Sequence, residues 1–159
     1  MDDSKLDTSK SFTADVYLED GGIRRPVRIN DGGWLQILDA QIKGHPVLPT
    51  TLWFGCYEEN GEAIYIIKEY TKGGSKNGST LDISNNDYLG FYSKSAKHWR
   101  VTRLDGEELI PRSTPEAHIS VSTRGGRKWT AQGEHCVVLK GGADSKFLVR
   151  IHKVGVYHF

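Results

Sequence analysis

The stretch LDISNNDYLGFYSKSAKHW, Leu81–Trp99, decides the predicted fold because its framework occurs three times in the chain. It begins with an apolar residue and ends with an aromatic residue 18 positions later. The same spacing of 18 separates Leu35 from Trp53 and Trp129 from Phe147. Each closing aromatic residue opens an alternating strand, which a polar turn connects to a second apolar strand. The equal spacings predict an internal repeat.

Short strands and turns fill the rest of the chain. Gly accounts for 18 of the 159 residues, and alternating apolar runs recur at intervals of about ten residues. Asn60-Gly61 lies between two apolar runs and is the clearest signal for a two-residue hairpin turn. No segment shows a convincing 3.6-residue apolar period of a helix. The sequence therefore predicts an all-β protein.

The chain length fits one domain, and the residues before Phe12 are mostly polar. We predict a flexible N-terminal arm over residues 1–11 and a single domain over residues 12–159. Within that domain, the repeats are expected at about 12–70, 71–115 and 116–159.

Three four-stranded units of this length resemble the β-trefoil, in which a six-stranded barrel is capped by three hairpins. The resemblance implies that the repeated leucine and aromatic positions pack together in one core. It also implies closure of the barrel, which removes the exposed edge strands through which sheets aggregate. The predicted fold class is an all-β β-trefoil with three four-stranded pseudo-repeats.

The second unit resembles the ricin-type lectin repeat, which runs Leu-Asp-Val, a polar loop, an aromatic residue and then Gln-x-Trp. The matching residues are, in chain order, Leu81-Asp82-Ile83, Asn85-Asn86-Asp87, Phe91-Tyr92 and the closing Trp99. Lys97 occupies the position of the glutamine. The other two units carry Gln36 and Thr130 where the second unit carries Asp82.

This resemblance implies a glycan or glycoprotein partner and a site around Asp82. The Asp82 carboxylate would accept hydrogen bonds from two hydroxyls, and Tyr92 would stack on the sugar ring. Asn85 or Asn86 would add a directional hydrogen bond, and Lys97 completes the candidate set. A structural alternative carries at least equal weight, in which Asp82 caps a turn and Tyr92 packs beneath it. No cofactor and no metal are predicted.

Two further partner classes stay open. The third unit resembles a fascin-type trefoil repeat across Gly126–Ala131, Val137–Leu139 and Phe147–Val149, which implies an actin partner. Some plant and mushroom trefoils inhibit proteases through an exposed loop. Gly44–Thr51 and Gly73–Thr80 are the two candidate loops here.

The residues present disfavour catalysis. Cys56 and Cys136 lack the Cys-x-x-Cys spacing of zinc sites. His135 should point away from Cys136, because neighbours on a strand face opposite ways. The sequence therefore predicts a binding module and not an enzyme.

A basic cluster raises the question of nucleic-acid binding. Its members are Lys94, Lys97, His98, Arg100 and Arg103. Basic and aromatic side chains together hold phosphates and stacked bases, but a solvated outer face explains this cluster more simply. Nucleic acid is therefore not the expected partner.

Charge is unevenly spread along the chain, although the net charge is only +1. Residues 1–70 carry 7 basic and 12 acidic side chains, and residues 71–159 carry 14 and 8. We expect the halves to neutralise each other in one compact body. The N-terminal residues lack a secretory pattern, and no apolar run approaches the ~20 residues of a membrane span. A soluble protein is predicted, cytoplasmic or released without a signal peptide.

Overall fold

The structure is a computed structural model that describes residues 6–70, 79–95, 97–140 and 145–156. In these ranges the chain forms fourteen β-strands, two short 3-10 turns at Thr8–Lys10 and Pro111–Ser113, and no α-helix. The strands are β1 (Phe12–Asp20), β2 (Ile23–Ile29), β3 (Leu35–Ile37), β4 (Gln41–Ile42), β5 (His45–Pro46), β6 (Leu52–Glu59), β7 (Glu62–Glu69), β8 (Thr80–Ile83), β9 (Leu89–Tyr92), β10 (Arg100–Arg103), β11 (Glu116–Ser122), β12 (Arg127–Gln132), β13 (His135–Lys140) and β14 (Phe147–Val154). The prediction of an all-β protein is confirmed.

Seven strands close into an antiparallel barrel in the order β11, β12, β13, β3, β2, β1, β14 and back to β11. The ring closes where β14 pairs with β11, from Glu116 opposite Arg150 to Ile119 opposite Phe147. The other edge of β14 pairs with β1 over seven residue pairs. Closure leaves the ring without a terminal edge strand.

The remaining strands lie outside the ring. The first residues of β1 also pair with β6, and the sheet continues from there through β7, β8 and β9. β10 adds to β11 on the other side. The short pair β4 and β5 forms a separate exposed hairpin. The β8–β9 hairpin therefore stands beside the barrel and not within it.

The β-trefoil prediction is wrong, and with it the resemblance to ricin-type and fascin-type repeats. A trefoil needs a six-stranded barrel to which three equivalent units contribute alike. Here the first predicted unit supplies β1, β2 and β3, the third supplies β11 to β14, and the second supplies no strand of the ring. Equal spacing along the sequence does not determine which strand edges pair, because pairing is decided by contacts distant in sequence.

The core shows the same departure from threefold symmetry. Leu81, Trp99, Trp129 and Phe147 pack in one large buried cluster. Trp53, which the repeat makes equivalent to Trp99, lies in a second cluster with residues of β6 and β7. In the large cluster the rings of Trp99 and Trp129 meet edge to face at 6.2 Å, and Trp129 meets Phe147 in the same way at 5.7 Å.

Turn chemistry fixes the hairpins locally. Asn60 and Gly61 have φ values of 53° and 79°, the left-handed pair that a two-residue turn of the primed type requires. They connect β6 to β7, whose eight residue pairs run in register from Leu52 opposite Glu69 to Glu59 opposite Glu62. The hairpin predicted at Asn60-Gly61 is therefore confirmed.

The proposed domain boundaries stay a prediction. Residues 1–5 of the predicted arm, most of the loop Gly73–Thr80 and residues 157–159 lie outside the described residues. Within the described part of the arm, the Asp7 N–H donates to the Cys56 carbonyl at 2.8 Å. Across the described ranges, no helix has the length and apolar character to cross a membrane.

Candidate functional site

A cleft of about 810 Å³ lies where three distant segments of the chain meet. The turn between β2 and β3 forms one wall, the β8–β9 hairpin forms the second, and the start of β13 forms the third. Three aromatic side chains line it, Trp34, Tyr88 and Tyr92, each between 36% and 39% exposed. The first wall also contributes the amide side chains of Asn30 and Gln36, and the second wall contributes those of Asn85 and Asn86. The cleft thus combines rings and directional polar groups, as ligand sites do.

Strand alternation places Asp82 and Tyr92 on the cleft face of the β8–β9 hairpin. Asp82 is paired directly with Gly90 in the register of the two strands. Tyr92 follows Gly90 by two residues, so the side chains of Asp82 and Tyr92 lie on the same face of the hairpin. Two residues along a strand span about 7 Å. Leu89 and Phe91 alternate with them and pack toward the large core cluster. The hairpin thereby buries one face and turns the other toward the cleft.

Trp34 fills the space that the missing side chain of Gly90 leaves. A Cβ atom at Gly90 would lie 3.0 Å from Trp34 Cε3 and 3.1 Å from Cζ3, so the indole rests on the glycine backbone. The Phe91 N–H donates to the Gly33 carbonyl at 2.8 Å and ties the two segments together. The Asn30 side chain accepts a hydrogen bond from the backbone N–H of Trp34 at 3.0 Å. The indole is therefore positioned beside both Asp82 and Tyr92.

Tyr88 joins the third wall to the other two. Its ring stacks on the His135 imidazole with centroids 4.9 Å apart and planes 10° from parallel. It meets Trp34 nearly at right angles, at 84° and 6.5 Å. The Tyr88 and His135 rings are therefore nearly parallel, and the Trp34 ring is nearly perpendicular to Tyr88.

The loop between β8 and β9 is held by its own side chains and by β13. The Ser84 hydroxyl accepts the N–H groups of Asn86 and Tyr88 at 3.2 and 3.1 Å. The Val138 N–H donates to the Asp87 carbonyl at 3.0 Å, and the Asp87 carboxylate pairs with Arg127. Anchoring at both ends presents Asn85 and Asn86, which line the cleft, on an ordered loop.

The Asp82 carboxylate already accepts two hydrogen bonds. Its Oδ1 accepts the Ile83 N–H at 2.7 Å, and its Oδ2 accepts the Ser95 hydroxyl at 2.6 Å. A carboxylate has about four lone-pair sites, so each oxygen keeps capacity for a ligand donor. Asp82 thus bonds to local backbone as the structural alternative expected, whereas Tyr92 is exposed and not packed beneath it.

The structure brings four of the five predicted site residues together and leaves one outside. Asp82, Asn85, Asn86 and Tyr92 line the same cleft. Lys97 does not line it; its backbone N–H donates to the Ser95 hydroxyl at 3.3 Å.

Sequence reasoning missed the aromatic residues that complete the cleft and its third wall. Tyr88 had a signal, because Tyr88 and Tyr92 alternate with the buried Leu89 and the half-buried Phe91. Trp34 and His135 had none, because both come from segments distant in the chain.

The two cysteines, and a group formed by Asp15, Thr51 and His152, differ in arrangement from the known catalytic groups that contain these residue types. Burial raises the pKa of the Cys56 thiol to about 11, and burial also raises the pKa of Cys136. Asp15 accepts a hydrogen bond from Thr51 at 2.8 Å and lies 2.9 Å from His152. A catalytic triad needs the histidine between the hydroxyl and the carboxylate, whereas here the carboxylate lies in the middle. No metal-binding group of three acidic, histidine or cysteine side chains exists among the described residues.

The basic cluster named from the sequence is largely paired with acids. Arg100 lies 2.6 Å from Glu62, and Arg103 lies 3.1 Å from Asp105. His98 lies 3.6 Å from Glu59, and burial lowers the pKa of His98. These cations therefore contribute less to a phosphate-binding surface than their number suggests.

No protein-family model matches the chain, and a search of curated proteins also finds no match.

Proposed function

We propose that this protein is a non-enzymatic, lectin-like carbohydrate-binding protein and that the cleft beside the β8–β9 hairpin is its site. One observation carries the proposal. Asp82, with hydrogen-bonding capacity to spare, lines one cleft with three exposed aromatic side chains, Tyr88 and Tyr92 of its own hairpin and Trp34 of a distant turn. Large aromatic rings are more often buried than exposed, and here three of them line the same cleft as one carboxylate.

The chemistry of a sugar matches this arrangement. A pyranose has an apolar face of C–H groups, which stacks on an aromatic ring, and a rim of hydroxyls, which donate and accept hydrogen bonds. Tyr92 and Trp34 supply rings beside Asp82. Asp82 accepts from hydroxyl groups, and the amides of Asn85 and Asn86 both donate and accept.

The cleft is ordered before any ligand binds. Trp34 is seated on Gly90, Tyr88 is stacked on His135, and the loop at Ser84 is bonded internally. Side chains that are already fixed lose less conformational entropy on binding. This favours measurable affinity for a small ligand with few contacts.

A glycan array tests the proposal. The wild-type protein should bind a defined group of glycans, and Asp82→Ala and Tyr92→Ala should each weaken that binding by about tenfold or more, the loss of one or two good hydrogen bonds or a stacking contact. Asp39→Ala and Ile110→Ala remove an exposed acid and an exposed apolar side chain away from the cleft and serve as controls. A flat array profile, or unchanged binding in Asp82→Ala, rejects the proposal.

Protease inhibition is a second candidate, favoured by the loop Gly44–Thr51. Leu48 is 71% exposed and lies in the run Pro46-Val47-Leu48-Pro49. Hydrogen bonds hold the loop on both sides of it: the Val47 N–H donates to Ala40 at 2.9 Å, and the Thr50 N–H donates to Val27 at 3.1 Å. A rigid loop that presents one apolar side chain suits the hydrophobic specificity pocket of a serine protease.

A panel of serine and cysteine proteases tests this second candidate. Inhibition should be confined to proteases with an apolar specificity pocket, and Leu48→Asp should abolish it. Ile42→Asp on the neighbouring exposed hairpin is the control, because it adds the same charge nearby without touching Leu48. Absence of inhibition across the panel at micromolar protein concentrations excludes this role. The actin partner stays a hypothesis without support from the described contacts.

A further inference from the structure

We infer that the cleft selects uncharged glycans and rejects acidic ones, such as sialylated, sulfated or uronic-acid glycans. This inference rests on the proposed function, because it names the class of glycan that the same site takes. It follows from the charges that surround the ligand and from how each is already neutralised.

Asp82 is the one carboxylate among the described residues that line the cleft, and no lysine or arginine is among them. The described partners of Asp82 are neutral groups, the Ile83 N–H and the Ser95 hydroxyl. Neither of these partners carries a positive charge that would offset the charge of the carboxylate. A ligand in the cleft therefore meets one negative charge with no fixed positive charge beside it.

One guanidinium beside the cleft loop is already paired with an acid. Arg127 reaches the loop between β8 and β9, but its Nη2 pairs with the Asp87 carboxylate. Freeing it for a ligand anion would leave Asp87 without that partner. Arg127 therefore fixes the loop and does not compensate an acidic sugar.

His135, which forms the third wall, is stacked against the β8–β9 hairpin. His135 stacks face to face with Tyr88, so one face of its ring is covered. Its backbone neighbour Gln36, across the β13–β3 pairing, contributes an uncharged amide from the first wall. Apart from Asp82 and His135, the described residues that line the cleft have aromatic, amide, hydroxyl or aliphatic side chains.

The selectivity is local and does not come from the charge of the whole protein. The net charge of the chain is +1, which by itself gives no repulsion of anions. An acidic group bound within the cleft would lie closer to Asp82 than the Debye length, which is about 8 Å at physiological salt. The repulsion from Asp82 therefore persists at 0.15 M salt, whereas a general surface attraction for anions would fade.

Paired glycans on one array provide the test. Each neutral oligosaccharide is printed with its sulfated and its sialylated form, and binding is measured at about 0.15 M salt. The wild-type protein should bind neutral forms about tenfold or more tightly than their acidic partners. Asp82→Asn keeps the shape of the side chain and should reduce that ratio severalfold. Asp39→Asn removes the same charge outside the cleft and should leave the ratio unchanged.

A gain-of-function variant keeps the test informative if Asp82→Asn abolishes all binding. Asn86 is exposed on the cleft loop, so Asn86→Lys adds a cation without disturbing the core. It should raise the affinity for sulfated forms relative to neutral ones.

The outcomes separate the two proposals. If no glycan binds, the proposed function fails and the selectivity fails with it. If glycans bind but the acidic forms bind as tightly as the neutral forms, only the selectivity is overturned. The selectivity is also overturned if Asn86→Lys leaves the preference for neutral glycans unchanged.

Discussion

The hairpins β6–β7 and β8–β9 both lie outside the barrel ring, yet they treat their aromatic side chains in opposite ways. In β6, Trp53 and Phe54 point to opposite faces, and both are fully buried because each face is covered by a different apolar cluster. In β8–β9 one face is buried, whereas Tyr88 and Tyr92 stay exposed on the other. The aromatic side chains of the first hairpin therefore stabilise the fold, whereas those of the second remain exposed at the proposed ligand site.

Truncation of one aromatic ring in each hairpin should give the largest difference between them. Trp53→Ala removes a fully buried indole whose Nε1 donates to the Val156 carbonyl, and should destabilise the fold by about 3–5 kcal/mol. Tyr92→Ala should change the free energy of unfolding by less than about 0.5 kcal/mol while it weakens glycan binding. Denaturant unfolding measures both. Equal losses of stability in the two variants would contradict the division of roles.

Gly55 tests how tightly the buried face of β6 is packed. A Cβ atom there would overlap the Trp53 indole, so Gly55→Ala should destabilise the protein by about 1–3 kcal/mol. Gly125→Ala is the matched control, because its nearest heavy atom is the Thr123 hydroxyl at 3.8 Å. Thermal melts of the two variants suffice. A melting temperature for Gly55→Ala as high as that of Gly125→Ala would show that the indole moves freely.

Gly90 is the corresponding position in the second hairpin, where the neighbouring indole is exposed and can yield. Gly90→Ala should displace Trp34 and lower glycan affinity about tenfold, roughly 1.4 kcal/mol, with a smaller loss of stability. Trp34→Ala should produce a similar loss of affinity through removal of the ring. Isothermal titration with a glycan found on the array measures the change. Unchanged affinity in both variants would remove Trp34 from the site.

The smallest expected effect concerns pH and the first hairpin. Burial raises the pKa of Cys56 from 9.0 to about 11, so the folded state holds this proton more tightly than the unfolded state. The stability that this provides is fully present below pH 9 and is lost as the pH rises toward 11. By linkage, Cys56 alone accounts for a loss of about 0.8 kcal/mol at pH 9.5.

Urea unfolding at pH 7.5 and 9.5 checks this, with Cys56→Ala as the comparison. That variant should lose less stability between the two pH values than the wild type does. An identical loss in both proteins would mean that the thiol does not contribute. The second hairpin has no described cysteine, so no matching effect is expected there.

Local chemistry in the sequence was sufficient for part of the fold and part of the site. Asn60-Gly61 specifies its own turn, because the required left-handed conformations are cheap for those two residues. The sequence could group Asp82, Asn85, Asn86 and Tyr92 because they lie within one hairpin, where alternation decides which way each side chain points. Lys97, which was predicted with them, follows the hairpin and does not line the cleft.

By itself, the sequence determined that this protein is built of short strands, where several of its turns lie, and which side chains are apolar enough to be buried. The tertiary structure alone decided that seven strands close into a ring that excludes the second predicted repeat. It also decided that Trp34 and His135 reach the hairpin that carries Asp82. The physical reason is that turns and alternation act between neighbours in the chain, whereas strand pairing and cleft formation depend on contacts between distant segments.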